Sequence, residues 1–435
     1  MKRICSFVLT AVLAFLPAVC SAQKEEVYRD VLDNVIHAGG SSMSYQYEPQ
    51  AYTPPPKGYK PFYISHIGRH GSRFHNSKDI FPKLTARFAS AEKAGVLTAL
   101  GKDVMERVNY VASCCEGRIG DLSSVGVQEH KSIAGRMYDR YPAVFKGRDK
   151  KVYARSTTSA RCILSMAAFC EALKERNARL DITRQAGDTT NHTINHATPE
   201  YRQYFNEGPW KPLYNSFLEE HFDASEVIGR LFTDASLFDG DPNGKSARSF
   251  VMSLFSLAAI MPASGLGVDF YDIFTEKEIL PLWEAQNMSQ YMRKGPSPIS
   301  GGLAISIMAP LLQDFVTCAD EVIARGGRCA DLRFGHGEDI MPVTGLMGID
   351  WASREEADPE KMCLAWQDYK VTSMGSNVQW IFYRNRKGNV LVKILLNEKE
   401  SSIPVATNDW PYYPWEDVRA YYNGVLASIR LAGRQ

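Results

Sequence analysis

The chain has 435 residues, 45% of them hydrophobic, with 50 Lys and Arg against 49 Asp and Glu and a net charge of +1. A chain of this length can bury a large core and is long enough for two lobes. The balanced charge excludes a protein whose bulk basicity binds nucleic acid or a membrane surface, so any strong preference for anions must come from a local cluster.

The first 22 residues are typical of a secretory signal peptide. Lys2 and Arg3 precede a short apolar run, and small residues end it at Ala22. The run is short for a retained membrane anchor, and no later apolar run in the sequence is long enough for a stable membrane span. Cys20 could mark a lipoprotein site, but the bulky Val19 before it disfavours one. We therefore expect cleavage after Ala22 and export to the periplasm or the extracellular space.

Seven cysteines follow this leader: Cys114, Cys115, Cys162, Cys170, Cys318, Cys329 and Cys363. Because seven is odd, at least one is free or paired between chains. Cys318 and Cys329 are the pair that we would test first for a disulfide. No spacing of Cys and His residues suggests a zinc site.

Strands alternate with helices in the outer parts of the predicted structure. In chain order the sequence predicts a buried strand in "FYISHI", a helix in "LSSVGVQEHKSIAGRMYDRYPAVF" ended by Pro142, a strand in "KVYARST", a helix in "SARCILSMAAFCEALKERNA" and a strand in "LDIT". Further on, "GLAISIMAPLLQDFVTCADEVIARGG" predicts one helix, "LRFG" a strand before another helix, and "VQWIFYRNRKGNVLVKILLNE" a β-hairpin. This alternation predicts an α/β core formed by residues 23–185 and 303–435. The aromatic, acidic and Asn-rich residues 186–302 predict an inserted, mostly α-helical cap lobe.

Charged side chains follow three of the predicted strands. They are Arg69, His70 and Arg73 after "FYISHI", Arg155 and Arg161 after "KVYA", and His336 and Glu338 after "LRFG". In open α/β sheets, ligands bind at the carboxyl ends of the strands. We therefore expect these side chains to converge on one site.

The residue types in this set suit phosphoryl transfer. The planar fork of arginine matches phosphate oxygens and stays charged. Histidine can attack phosphorus and form a covalent intermediate, and a carboxylic acid such as Glu338 can give the leaving alkoxide its proton. No segment looks like a metal cage or a Walker loop. The sequence therefore predicts no metal and no cofactor, with arginines stabilising the charge that a metal would otherwise stabilise.

The same segments resemble a known family. "RHGSR" resembles the RHGxR signature of the histidine acid phosphatases, and "LSSVGVQEHKSIAGRMYDRYP" resembles the helix that follows it. "RSTTSARCILSMAAF" resembles the second arginine block of that family, and "FGHGEDIMPVTGLMGI" its C-terminal block. The four blocks span about residues 62–350. His-Gly-Glu at 336–338 is similar to the His-Ala-Glu of the multiple inositol polyphosphate phosphatase (phytase-like) branch.

The resemblance implies a histidine-phosphatase (phosphoglycerate-mutase-like) core sheet flanked by helices, with a helical cap and phytate-like substrates. It implies that His70 is the nucleophile and Glu338 the proton donor, with Asp339 as the alternative donor. It further implies that phosphate is bound by four side chains: Arg69, Arg73, Arg161 and His336. Arg155 remains open, either as a phosphate ligand or as part of an ion pair behind the site.

Two positions depart from the family pattern. His75 stands where a proline usually follows RHGxRx, and Gly337 stands where the branch has alanine. A glycine there leaves room and adds backbone freedom.

Three functions remain open from the sequence. A secreted phosphomonoesterase acting on inositol polyphosphates (phytate, InsP6) is favoured. A broad-specificity histidine acid phosphatase acting on sugar or nucleotide monoesters is the main alternative. A non-catalytic phosphate-binding protein is disfavoured by the presence of both His70 and Glu338. The sequence leaves the oligomeric state and the positional specificity on the inositol ring open.

Overall fold

A mixed β-sheet forms the centre of the computed structural model, which describes residues 22–147 and 150–432. Apart from Ala22, the predicted signal peptide lies outside the described residues. The strand order is β3-β2-β4-β1-β5-β6-β7, and β8 pairs with β6. The strands are β1 (Lys60–Arg69), β2 (Lys151–Ser156), β3 (Asp181–Ala186), β4 (Ala330–Gly335), β5 (Asn377–Arg384), β6 (Val390–Leu396), β7 (Lys399–Glu400) and β8 (Tyr412–Pro414).

Helices cover the sheet and form most of the segment between β3 and β4. Those before and beside the sheet are α1 (22–33), α2 (Ile80–Ala94), α3 (Ala99–Cys114), α4 (Ser124–Arg140), α5 (Pro142–Phe145) and α6 (Ala160–Arg176). Those between β3 and β4 are α7 (Asp188–Ile194), α8 (Pro199–Glu207), α9 (Trp210–His221), α10 (Ser225–Leu231), α11 (Lys245–Ser264), α12 (Glu276–Lys294), α13 (Leu303–Ser306) and α14 (Ala309–Arg325). After β4 come α15 (Gly337–Leu346), α16 (Met362–Ala365), α17 (Asp368–Thr372) and α18 (Trp415–Ala432).

Strands β1, β2, β3 and β4 are parallel, and their register brings three chain segments to one edge of the sheet. Arg69 at the end of β1 lies opposite Gly335 at the end of β4. Ser156 at the end of β2 lies opposite Phe334. The residues that follow these three strands therefore leave the sheet side by side, at the carboxyl ends where α/β proteins bind ligands.

The two central parallel strands, β1 and β4, are buried on both faces, as expected for an α/β sheet covered by helices, whereas β3 at the edge is exposed. Along β1, Ile64 packs into one apolar cluster that includes Phe169 of α6, whereas Ile67 packs into a second cluster that includes Trp380 of β5. Side chains in a strand alternate between its two faces, so one strand contributes to two cores. The predicted α/β class, with a central sheet flanked by helices, is confirmed.

The helical segment between β3 and β4 also packs against helices from the first part of the chain. Phe88 of α2 contacts Phe250 of α11, with ring centroids 5.4 Å apart, and Phe232 and Phe238 join the same aromatic cluster. The predicted cap boundaries, 186–302, stay a prediction. The packing nevertheless shows that α2 contributes to the core of this helical region.

Prolines mark the ends of two predicted helices. Helix α4 ends at Arg140, just before Pro142 as predicted, and Pro142 begins the short helix α5, because proline fits the first turn, where its missing N–H is not needed. The predicted helix over 302–327 is divided into α13 and α14, and Pro310 lies in the first turn of α14 for the same reason.

The predicted disulfide between Cys318 and Cys329 is wrong. All seven cysteines that follow the leader are free thiols. Cys318 on α14 turns its sulfur towards the ion pair of Arg155 and Asp314, with the Sγ 3.7 Å from an oxygen of Asp314. The sequence separation of the two cysteines did not reveal which way the helix would face.

Helix α11 meets the length and composition of a membrane span, a feature that the sequence analysis did not identify. It is the one such helix among residues 22–147 and 150–432, and 61% of its apolar window is buried inside the protein. Phe250, Val251 and Leu254 face the core of the helical region. Its hydrophobicity is therefore that of a buried core helix.

Candidate active site

His70 lies at the end of β1 with its ring buried and oriented. Its backbone N–H donates to the carbonyl of Gly335 at 2.8 Å, and its Nδ1 lies 2.9 Å from the carbonyl oxygen of Gly71. A carbonyl can only accept, so Nδ1 carries the proton and Nε2 keeps its lone pair. Burial, and then the charges of Arg69 and Arg73, hold the pKa of His70 well below its ordinary value. The imidazole is therefore neutral and its Nε2 is free to attack an electrophile.

Two glycines allow the loop around His70 to cross the start of α4. A Cβ on Gly71 would lie 2.5 Å from the carbonyl oxygen of Gly126, a distance that real side chains do not adopt. The adjacent Ser72 donates from its N–H and its hydroxyl to Glu129 of α4, at 2.7 and 2.6 Å. The loop is thus fixed by backbone contact and by a buried carboxylate that the sequence analysis did not identify.

Three arginines surround His70. Arg69 donates from Nη1 to the carbonyls of Ser41 and Thr372, both at 2.5 Å, and Arg73 donates from Nη1 to the carbonyl of Phe74 at 2.9 Å. The Nε groups of Arg69, Arg73 and Arg161 are buried, and no residue in the described part of the chain accepts from them. Burial lowers the pKa of Arg69 to about 10 and that of Arg73 to about 9, so both stay charged at neutral pH.

His336 lies beside this group, and its ring centroid is 5.6 Å from that of His70. Arg161 donates from Nη2 to Nδ1 of His336 at 3.2 Å, since a guanidinium can only donate. Nε2 of His336 therefore carries the proton and donates to the hydroxyl of Thr157, 3.1 Å away. Burial lowers the pKa of His336 to about 4, so this ring is also neutral at neutral pH.

Glu338 is paired with a lysine that the sequence analysis did not identify. Nζ of Lys294, at the end of α12, donates to Glu338 at 2.9 Å. The Glu338 side chain is 49% exposed, whereas Lys294 is buried. The charge of Lys294 is the main cause that holds the pKa of Glu338 well below its usual range. Glu338 is therefore an ionised carboxylate at neutral pH.

Asp339, the alternative donor, has a different position. It is fully buried, and its Oδ2 accepts from the backbone N–H of His336 at 2.6 Å. Burial holds the pKa of its carboxyl well above the ordinary value. Its contacts are those of a side chain that stabilises the first turn of α15. Of the two neighbouring carboxyls, only Glu338 is accessible from solvent.

Arg155 is not brought into the group around His70. Its two Nη atoms form a bidentate pair with Asp314 of α14, at 3.0 and 2.8 Å. Arg333 of β4 binds the same carboxylate at 2.6 Å. The structure therefore agrees with the second of the two alternatives for Arg155, an ion pair between the sheet and α14.

Gly337 leaves no spare room at the site, contrary to the expectation from the sequence. A Cβ at this position would lie 3.2 Å from Cζ and Nε of Arg69. Its backbone is that of the first turn of α15, so the added freedom of glycine is not used. The space that an alanine methyl would fill is occupied by the Arg69 guanidinium.

Comparison with known proteins agrees with the resemblance seen in the four sequence blocks. The chain is 22% identical over 336 residues to multiple inositol polyphosphate phosphatase 1 of Homo sapiens, an alignment that covers 72% of this chain and 67% of that protein. The solved structure of the Bifidobacterium longum multiple inositol polyphosphate phosphatase in complex with inositol hexasulfate matches with a TM-score of 0.74 at 20% identity. That match covers 89% of this chain and 97% of that one.

A phytase from D. castellii matches with a TM-score of 0.61 at 14% identity, over 91% of this chain and 85% of that chain. At such low identities the two structural matches establish the fold. The family itself is established by a model of the histidine phosphatase superfamily (branch 2), which matches residues 65–397 and so covers the segments that carry His70, Arg161, His336 and Glu338. The chain therefore belongs to branch 2 of the histidine phosphatase superfamily.

Proposed function

We propose that this phosphomonoester hydrolase acts on inositol polyphosphates such as phytate (InsP6), through a covalent phosphohistidine on His70 and with Glu338 as proton donor. The observation that carries the proposal is the arrangement around His70. A neutral imidazole with a free Nε2 is surrounded by three guanidiniums whose buried Nε–H groups have no acceptor among the described residues. Buried donors without partners are costly, and a phosphoryl group offers them oxygens.

In the first step Nε2 of His70 attacks the phosphorus of the bound ester. The new P–N bond forms as the bond between phosphorus and the ester oxygen breaks, and Glu338 gives its proton to the leaving alkoxide. Arg69, Arg73 and Arg161 stabilise the charge on the phosphoryl oxygens. His336 donates no proton to the leaving group in this scheme; its Nδ1 accepts from Arg161, so it orients that guanidinium towards the phosphoryl group.

In the second step a water molecule attacks the phosphohistidine. Glu338, now a carboxylate, takes a proton from that water as the P–N bond breaks. Inorganic phosphate leaves, and both His70 and the protonated form of Glu338 are restored. The electron pair of the P–N bond returns to Nε2, so no oxidant or reductant is needed.

Glu338 must take up a proton before it can act as the acid, because Lys294 keeps it ionised in the free protein. A bound phosphate supplies the reason for that uptake. Its negative charge lies near Glu338, raises the pKa of the carboxyl and competes for the ammonium of Lys294. We therefore expect turnover to be favoured on the acid side of neutrality.

Two lines of support favour inositol polyphosphates over other esters. The relatives named above include proteins described as inositol polyphosphate phosphatases and a phytase. The sequence His336-Gly337-Glu338 is also similar to that branch rather than to the His-Asp of most histidine acid phosphatases. A broad-specificity acid phosphatase would use the same catalytic group, so the substrate is the point to test.

The signal-like segment 1–22 supports a further part of the proposal, namely export to the periplasm or the extracellular space. Sequencing the amino terminus of the protein recovered from its native host tests this part. We expect the mature chain to begin at Gln23, and a chain that keeps residues 1–22 contradicts cleavage.

The test of substrate compares InsP6 with p-nitrophenyl phosphate, a sugar phosphate and a nucleotide monophosphate under one set of conditions. We expect kcat/KM for InsP6 to exceed that for the small monoesters, with lower inositol phosphates separated by ion-exchange chromatography. Fast turnover of the small monoesters beside poor turnover of InsP6 would replace the proposal with the broad-specificity phosphatase.

The test of the intermediate uses rapid alkaline denaturation during turnover, because phosphohistidine is labile in acid. We expect mass spectrometry to find the phosphoryl group on the peptide that contains His70. A phosphoryl group on another residue, or none during a burst of product, contradicts the covalent step.

A further inference from the structure

Asp368 is a buried carboxylate close to the catalytic group, and the mechanism above gives it no role. It is the first residue of α17, its side chain is fully buried, and its Oδ2 accepts from the backbone N–H of Ser41 at 2.8 Å. Ser41 lies in the 3₁₀ turn Val35–Ser42, 327 residues earlier in the chain. The carboxylate therefore joins two segments that are distant in sequence.

The same two segments supply the carbonyls that bind Arg69. Nη1 of Arg69 donates to the carbonyls of Ser41 and Thr372, both at 2.5 Å. Ser41 is the residue whose N–H binds Asp368, and Thr372 ends the short helix that Asp368 begins. The contact between Asp368 and Ser41 thus fixes the two acceptors relative to each other. Because a guanidinium is a rigid planar fork, its orientation follows that of the acceptors.

The backbone at Gly40 admits the carboxylate of Asp368. Gly40 has a φ of 51° and a ψ of −128°, and a Cβ at this position would overlap Oδ2 of Asp368. Glycine adopts a positive φ without strain and leaves this space open, whereas other residues do neither. The carboxylate therefore lies directly against the backbone that leads to Ser41.

Polar side chains of α12 hold both sides of this contact. Oδ1 of Asn287 accepts from the backbone N–H of Asp368 at 2.7 Å. Nε2 of Gln286 donates to the carbonyl of Gly39 at 3.1 Å. The last turn of the same helix carries Lys294, which binds the proposed proton donor. One helix therefore supports both the ion pair of the donor and the segments that orient Arg69.

Asp368 also acts on Arg69 through its charge. Burial has the largest influence on the pKa of Arg69 and lowers it, whereas the negative charge of Asp368 raises it. Tyr369 of α17 and Tyr271, which precedes α12, also face the carboxylate. Burial raises the pKa of both tyrosines, so they are neutral where Asp368 titrates. Arg69 is thus a charged neighbour of this carboxylate.

We propose that Asp368 is a positioning residue for phosphoryl transfer, which orients Arg69 through the carbonyls of Ser41 and Thr372 and favours its charge. It touches no substrate and acts through Arg69. The inference rests on the proposed role of Arg69 in binding the transferred phosphoryl group, but not on which ester is hydrolysed. Charge stabilisation in the transition state needs donors that are held in place before the reaction.

The first test removes the charge of Asp368 and keeps its shape. Asp368→Asn retains an oxygen that can accept from the N–H of Ser41, but it has no charge opposite Arg69. We expect kcat for p-nitrophenyl phosphate to fall by about threefold to thirtyfold, less than the hundredfold that a displacement of about 1 Å can cost. Any other ester that is hydrolysed should lose the same factor. A variant with lower thermal stability but unchanged kcat overturns the proposal.

The pH dependence of kcat is a readout that a purely structural role would leave unchanged. Burial raises the pKa of Asp368 to about 6, although the N–H of Ser41 stabilises the carboxylate. The carboxylate is therefore protonated, and loses its charge, as the pH falls through this range. We expect kcat of the unaltered protein to fall to a lower plateau there, and Asp368→Asn to lack this step. Glu338 is not its cause, because protonation of the donor raises the rate. Absence of the step from the unaltered protein overturns the proposal, whether or not the variant folds.

A double-mutant cycle tests whether Asp368 acts through Arg69. Arg69→Lys removes the guanidinium that the two carbonyls orient, so adding Asp368→Asn should lower kcat by less than about twofold further. Effects that multiply independently overturn the proposal. Normal kcat in Arg69→Lys itself would contradict the proposed role of Arg69. Slow turnover in Arg69→Lys beside normal turnover in Asp368→Asn would overturn the positioning role alone.

A matched control changes another carboxylate that binds the amino-terminal part of the chain. The Glu400 side chain is 9% exposed, and its Oε1 accepts from the backbone N–H of Thr53 at 3.0 Å and from Nζ of Lys393 at 2.9 Å. Glu400→Gln should therefore leave kcat and its pH dependence unchanged. Gly40→Ala disturbs the Asp368 contact from the other side and should lower kcat as Asp368→Asn does. A folded Gly40→Ala protein with the kcat of the control overturns the proposal.

Discussion

The catalytic group and the groove between α9 and α11, which Lys83, Lys245 and Arg248 line, hold their cations in opposite ways. Arg69 and Arg73 are buried and fixed by backbone carbonyls, and burial lowers their pKa values. Lys83 and Lys245 are exposed on the groove, and neither forms a salt bridge with a residue in the described part of the chain. Charges in water are screened over about 8 Å at physiological ionic strength, whereas buried charges are screened much less.

Buried, fixed cations and exposed, mobile cations therefore suit different tasks. A phosphoryl group in transfer needs donors at fixed positions, and misplacement by about 1 Å can cost a hundredfold in rate. Mobile, exposed cations attract an anion only weakly, and that attraction depends on salt. We therefore expect changes around His70 to alter kcat on every substrate.

The largest expected effect is the loss of the nucleophile. His70→Ala should lower turnover of all esters by on the order of 10⁴-fold or more, because the proposed mechanism makes His70 the nucleophile. Stopped assays with InsP6 and p-nitrophenyl phosphate measure the loss, and thermal unfolding checks the fold. His221→Ala serves as the control, because it removes an exposed histidine of α9 that pairs with Glu360. Near-normal activity in His70→Ala would show that the mechanism is wrong.

The next effect concerns the proton donor. Glu338→Gln should slow an alkyl phosphate by about 10²–10⁴-fold, the usual contribution of a general acid. The loss on p-nitrophenyl phosphate should be much smaller, because its phenolate leaves with less help. Asp339→Asn is the matched control, since the amide oxygen can still accept from the N–H of His336. A variant that loses equally on both esters would exclude Glu338 as the acid.

A third effect is a displacement of the pH profile. Removing the charge of Lys294 raises the pKa of Glu338, because that charge is the main cause of its low value. The protonated donor then persists to higher pH, so the alkaline limb of the pH profile of kcat/KM should move to higher pH in Lys294→Met. Lys277→Met, at the exposed start of the same helix, controls for the general loss of a charge. A limb that stays in place or moves to lower pH contradicts this role of the ion pair.

The smallest expected effect comes from one methyl group. Gly337→Ala introduces the residue of the inositol polyphosphate phosphatase branch, yet its Cβ would lie 3.2 Å from Arg69. A displacement of a few tenths of an ångström should lower kcat by about twofold to tenfold, less than the hundredfold of a 1 Å shift. Gly424→Ala in α18, where nothing lies within 4 Å, should leave kcat unchanged. Higher activity in Gly337→Ala would show that the guanidinium has room to spare.

The sequence was sufficient for the parts of the site that follow strands. His70, Arg161, His336 and Glu338 come directly after β1, β2 and β4 or at the start of the following helix, and parallel pairing brings such positions together without further information. The α/β class followed from the same alternation of strands and helices.

The sequence was insufficient where a partner comes from a distant helix or from the backbone. Lys294 lies in the last turn of α12, where basic residues are common, so the sequence gives it no special role. Only the packing of α12 brings it to Glu338. Arg155 lies on β2, one of the strands that lead to the site, but its guanidinium forms an ion pair with Asp314 of α14. The free thiols of Cys318 and Cys329 depend likewise on how α14 is rotated against the sheet.

The two carbonyls that bind Arg69 come from distant parts of the chain, so the position of its guanidinium depends on both parts. Ser41 lies 28 residues before Arg69 and Thr372 lies 303 residues after it, and one Nη1 group binds both. No fragment that lacks either end of this span can orient the guanidinium, even if its sheet forms. We therefore expect a nascent chain to have no activity until the segment that contains Thr372 has been synthesised and has folded. We likewise expect recovery of activity on refolding to report this long-range closure around Arg69, which the recovery of strands and helices alone does not show.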